Sequence, residues 1–122
     1  MEQSESCIFC RIVTGSSPAH IEYEDNSVMV YWDINPNAPI HLLVISKKHI
    51  PTIDAAQDID GDLLGKMLLT AKEIGRRKGL VDDGYRVVAN VGANAHQVVD
   101  HLHFHILAGA DLGPMTTAKS AN

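Results

Sequence analysis

Three histidines at every second position, His101, His103 and His105, offer more chemistry than any other stretch of the chain. Leu102 and Phe104 lie between them, and Ile106 and Leu107 follow. Strict alternation is the period of a β-strand, whose successive side chains point to opposite faces. The spacing predicts three imidazoles on one face and Leu102, Phe104 and Ile106 on the other, with the apolar face turned to the core. Same-face neighbours on a strand stand about 6.6–6.8 Å apart. Imidazoles that close repel one another when protonated, which depresses their pKa values. A neutral imidazole is a nucleophile or a metal ligand, and a protonated one can hold a phosphate. The plain alternative is three solvated histidines on an edge strand. It leaves the perfect apolar face unexplained, and the interleaved hydrophobics exclude a polyhistidine tag.

The second signal is Cys7 and Cys10, the only cysteines in the chain. Two thiolates at this spacing come within reach of one ion, and two histidines would complete a tetrahedral site. The alternatives are a disulfide, thiol redox chemistry, or two reduced cysteines packed as small hydrophobes. Redox chemistry lacks its usual setting, because no βαβ pattern surrounds the pair.

The positioning elements follow from periodicity and turn residues. Residues 7–13 read as a short helix stopped by Gly15. Residues 21–23, 28–33, 40–46, 85–91 and 101–107 read as strands, the third an almost continuous apolar run. The stretch 35–39 is a loop, since Pro36 and Pro39 exclude helix and central strand. Residues 58–77 carry one apolar face through Leu63, Leu64, Met67, Leu68, Ala71, Ile74 and Gly75 at a period near 3.6, and read as the only long helix. Gly79 is its expected stop. The pattern predicts an α+β domain with a mostly antiparallel sheet, one long helix packed on it and a short N-terminal helix.

Length and charge bound the rest. A chain of 122 residues is one domain's worth, with a core at about 7–109 and tails at 1–6 and 113–122. A net charge of −5 provides no basic field for long nucleic acid, whereas a pocket can still take a small anion. No apolar run is long enough to span a bilayer, and the acidic, polar start does not resemble a secretory signal, so the cytoplasm is the expected compartment. So small a domain exposes much apolar surface, and a homodimer that continues the sheet or pairs the helices would bury it.

The stretch from His101 to Leu107 resembles the signature of the histidine triad (HIT) family. The resemblance covers about residues 7–109. It is carried also by Ile8 to Ile12, Tyr31 to His41, Leu43 to Ile50, Gly84 to Val88, Asn90 and Gly92. It is similar in particular to the branch of nucleoside phosphoramidate hydrolases. The resemblance implies that His103 attacks the α-phosphorus and that His105 bonds the non-bridging oxygens. Asn90, Gln97 and the backbone N–H of Val98 would add donors, and His41 would stand near the phosphate or leaving group. Asp33 would hold the ribose hydroxyls, while Ile8, Phe9, Ile12, Tyr31 and Ile34 would wall the purine. The plain readings are a turn residue at Asp33, local backbone satisfaction at Asn90, and a core histidine at His41. Some relatives carry a structural zinc site, which here maps onto Cys7, Cys10, His49 and His101; no organic cofactor is implied. The implied activity is hydrolysis of purine nucleoside phosphoramidates or aminoacyl-adenylates, releasing a nucleoside monophosphate. A dinucleoside polyphosphate hydrolase and a nucleotide-binding adaptor with vestigial catalysis are the alternatives. The sequence departs from the branch at Val98, where a serine is common, and at His96, where a small residue is expected. The end of the chain lacks the aromatic that tunes leaving-group choice in that branch.

Overall fold

A computed structural model describes residues 6–116. The tails expected at 1–6 and 113–122 lie for the most part outside these described residues.

The chain begins with a short helix, α1 (Ile8–Thr14), whose N-terminus is capped by the Cys7 thiol accepting from the Cys10 N–H. Gly15 ends it in the left-handed conformation at φ 83°, which lets Ser16 N–H reach back to Arg11 O and Gly15 N–H to Ile12 O. Three strands follow, β1 (Ile21–Glu24), β2 (Val28–Trp32) and β3 (Ile40–Ser46). After two short 3-10 turns comes α2 (Gly61–Arg77), then β4 (Arg86–Val88) and β5 (His103–Ala108). The five strands form one antiparallel sheet in the order β1-β2-β3-β5-β4. The expected fold class is the observed one.

The sheet is apolar on both faces, which is why β3 reads as an unbroken hydrophobic run. One face carries Val28, Val30, Leu42, Val44, Phe104 and Ile106, and α2 covers it with Met67, Ala71 and Ile74. The other carries Met29, Tyr31, Leu43 and Ile45, and Phe9 and Ile12 of α1 cover that one. The histidine row therefore does not face open water. It belongs to the α1 face.

Two elements, α2 and β4, differ from the periodicity. The helix starts at Gly61, because the Gln57 N–H is held by the Asp60 carboxylate and residues 58–60 wind more tightly. Leu68 turns outward and Thr70 takes a buried place, its hydroxyl donating to Lys66 O. β4 is three residues long; Tyr85 leaves it to pack into the notch at Gly75, where an added Cβ would stand 2.7 Å from the ring. A helix terminator at Gly79 is present, with Leu80 N–H bonding Gly75 O and Gly79 N–H bonding Arg76 O.

Candidate functional site

The row of imidazoles is built by register. Ile45 pairs with His103 and Leu43 with His105, so both rings rise on the α1 face beside Tyr31 and Phe9. Phe9 stands edge-on to His103 with centroids 5.1 Å apart, and the His103 and His105 rings are 5.0 Å apart. His101 precedes the strand, and its ring swings toward the N-terminal segment.

Each ring has one nitrogen committed, and the commitment decides what the other can do. His103 Nδ1 lies 2.6 Å from the carbonyl oxygen of His101. A carbonyl only accepts, so Nδ1 carries the proton and Nε2 keeps its lone pair. His41 Nδ1 accepts the Asn37 N–H at 3.0 Å, which puts the His41 proton on Nε2. That proton is directed at His105 Nδ1, 2.8 Å away, with Asp33 Oδ2 at 3.4 Å. His105 then carries its own proton on Nε2. The pair offers a bare nitrogen on His103 and an N–H on His105. Burial pushes the pKa of both rings below the ordinary histidine value, that of His105 to about 4 with the neighbouring His103 and His41 contributing. Burial also lowers His41, partly opposed by Asp33.

His103 and His105 line a cavity of about 550 Å³. Eight of the residues expected at a nucleotide are on its wall: Ile8, Phe9, Ile12, Tyr31, Asp33, Ile34, Asn90 and Val98. Asp33 serves two ends, since Oδ1 accepts the Asn35 N–H in a turn while Oδ2 faces His41. His41 is 1% exposed and stands behind His105. Gln97 turns away from the cavity. Its amide donates to Pro51 O and Val99 O and accepts the Gly92 N–H, so its side chain fastens the loop. Sequence reasoning did not single out Pro18, Ala19, Asn35, Asn37, Leu43 or Val99 as wall residues. Their types carry no chemistry that marks them, and only the covering of this face by α1 places them there.

The second cluster lies at the start of the same row. His101 Nε2 lies 2.6 Å from the Ser46 carbonyl, so it carries the proton and Nδ1 is bare. That nitrogen is 3.4 Å from Cys7 Sγ, 3.5 Å from Cys10 Sγ and 3.1 Å from His49 Nδ1, and Cys10 Sγ is 3.1 Å from His49 Nδ1. All four ligand atoms lie within 4.8 Å of one another. A tetrahedral ion with sulfur and nitrogen ligands needs separations of roughly 3.3–3.8 Å. The donor set is complete, its tautomer at His101 is the right one, and burial drives the His101 pKa down to about 4. These four residues could hold a metal ion.

The sequence profile of the HIT domain family matches residues 14–112. The purine nucleoside phosphoramidase of Escherichia coli (strain K12) is 37% identical over 116 residues, spanning 95% of this chain and 98% of that protein. A HIT family hydrolase from Legionella pneumophila Philadelphia 1 has a TM-score of 0.86 at 43% identity, covering 88% of this chain and 96% of that one. A zinc-bound histidine triad family protein from Mycobacterium smegmatis has a TM-score of 0.78 at 31% identity, covering 96% and 84%. The fold and the paired imidazoles over a cavity define a hydrolase of the histidine triad type. The chain belongs to the HIT family and is a nucleotide hydrolase. Among the described residues no helix is long and apolar enough to cross a membrane.

Proposed function

We propose that the protein hydrolyses purine nucleoside phosphoramidates or aminoacyl-adenylates through a nucleotidyl-histidine on His103, releasing a nucleoside monophosphate. One observation carries this reading. His103 donates Nδ1–H to the His101 carbonyl, so the Nε2 lone pair is the available nucleophile. The His103 Nε2–phosphorus bond forms as the bond from phosphorus to the amine or acyl oxygen breaks. Water then attacks phosphorus, the Nε2–phosphorus bond breaks, and the monophosphate leaves. The Nε2–H of His105, the Asn90 side chain and the Val98 N–H bind phosphate oxygens where charge grows. Asp33 accepts from the ribose hydroxyls, and Ile8, Phe9, Ile12, Tyr31 and Ile34 enclose the purine. His41 orients His105, and Gln97 holds the loop that bears Val98. The alternative substrates, dinucleoside polyphosphates, use the same nucleophile and differ only in the group expelled.

Cys7, Cys10, His49 and His101 hold a structural zinc in this reading, which ties α1 to the catalytic strand and leaves no ligand position open for substrate. Two reduced cysteines fit the cytoplasm, and a homodimer would cover apolar side chains such as Leu68, Leu69 and Val87, which are exposed in the single chain. The test is turnover of an adenosine phosphoramidate beside diadenosine triphosphate by the wild type and His103→Ala. Loss of both activities with AMP binding retained supports the enzyme. Absence of both activities in the wild type would instead favour a binding protein.

A further inference from the structure

His96 is the one residue outside glycine with a positive φ among the described residues, at φ 61° and ψ 44°. That conformation costs a side chain free energy and suits glycine better. An imidazole kept there against that cost needs a reason, and its surroundings supply one. The ring lines the same cavity as His103 and His105, is exposed, and has no hydrogen-bond partner among the described residues. The loop under it is fixed rather than loose. His96 N–H bonds Ala93 O, Gln97 N–H bonds Gly92 O, and the Gln97 amide grips Pro51 and Val99.

The order of the sheet says which part of a substrate this loop meets. Asp33 and Ile34 follow β2, and Asn90 follows β4; β5, with His103 and His105, lies between β3 and β4. A nucleoside held by Asp33 and the α1 wall occupies the β2 side, and phosphorus sits over the two imidazoles. What remains for the expelled group is the β4 side, where His96 and Val98 face the cavity. No lysine or arginine is among the residues lining it, and with Asn90 given to the phosphate, His96 is the polar side chain left on that side to meet the expelled group.

We propose that His96 is a specificity-determining residue. Its imidazole donates a hydrogen bond to an anionic oxygen on the group that leaves phosphorus, and the enzyme favours leaving groups bearing such an oxygen over neutral ones of equal size. The proposal rests on the phosphoramidate hydrolase reading above.

The test compares kcat/KM for the adenosine phosphoramidates of glycine and of glycinamide, which differ at the carboxylate alone, with diadenosine triphosphate as a phosphate-bearing third substrate. A hydrogen bond to a charged group predicts a wild-type preference for glycine over glycinamide of about tenfold or more. His96→Gly, relaxed at this φ, brings the ratio toward one, mainly through KM. His96→Asn, which tolerates the conformation and keeps an N–H, restores part of it and reads the same ratio should the glycine variant not fold. A drop confined to diadenosine triphosphate assigns His96 to a phosphate instead of a carboxylate and still supports the shared chemistry. Equal turnover of glycine and glycinamide substrates by the wild type, with diadenosine triphosphate unaffected in His96→Gly, overturns the role of His96 and leaves the hydrolase reading standing. Turnover of none of the three overturns both.

Discussion

His101 and His103 stand two residues apart on the same face of one chain segment, and a backbone carbonyl holds one nitrogen of each at 2.6 Å. The carbonyls take opposite nitrogens. Ser46 binds Nε2 of His101 and leaves Nδ1 toward two sulfurs and a second imidazole, whereas the carbonyl of His101 binds Nδ1 of His103 and leaves Nε2 for the cavity. In the proposed roles, identical side chains serve as ligand and as nucleophile according to which nitrogen the backbone occupies. Composition and alternation cannot encode that choice. The fold does, by placing the Ser46 carbonyl at the end of β3 beside the entry to β5.

Separate roles mean separate consequences. His103→Ala should reduce kcat by at least about 10³-fold, since the proposed mechanism places the covalent step on His103, while metal content and melting temperature stay near those of the wild type. Steady-state kinetics with elemental analysis on one preparation checks both halves. Cys10→Ser should do the reverse. Zinc stoichiometry falls, and the melting temperature drops on the order of 10 °C by calorimetry, because binding energy at a structural zinc is folding energy. A chelator should reproduce that drop in the wild type and add little in the variant.

His41→Ala should lower kcat about 10- to 100-fold with KM changed less, since His105 loses the partner that fixes its tautomer, and His41→Gln should recover part of the loss by returning an N–H. The smallest effect is in pH. The His105 value is about 4 in the folded chain against 6.5 ordinarily, so the unfolded chain takes up the proton first. Stability falls as pH drops below 6.5 and this contribution levels off once pH passes about 4. Urea midpoints across that window should decline less steeply for His105→Gln.

Much of this was legible in the residues. The alternation from His101 to Leu107 set both faces of β5, and Leu102, Phe104 and Ile106 do enter the core against α2. The spacing of Cys7 and Cys10 fits a shared ion because Cys7 caps α1 and both sulfurs end on one side. The resemblance to the family supplied His49, which no local pattern marks; it joins the cluster through a turn after β3. Other features depend on contacts distant in sequence. Gln97 fastens its loop because Pro51 happens to lie within reach, and Thr70 is buried where period alone favours Leu68. His96 is visible as an oddity in sequence, while its left-handed backbone and its place on the cavity wall belong to the folded loop.

The most direct measurement is the mass of the protein quenched during turnover of an adenosine phosphoramidate, with the adduct mapped by peptide digestion under alkaline, denaturing conditions. The account predicts a single adenylyl group on the peptide containing His103, attached at Nε2 and absent in His103→Ala. An adduct on His105 or His96, or undiminished turnover by His103→Ala, would contradict it.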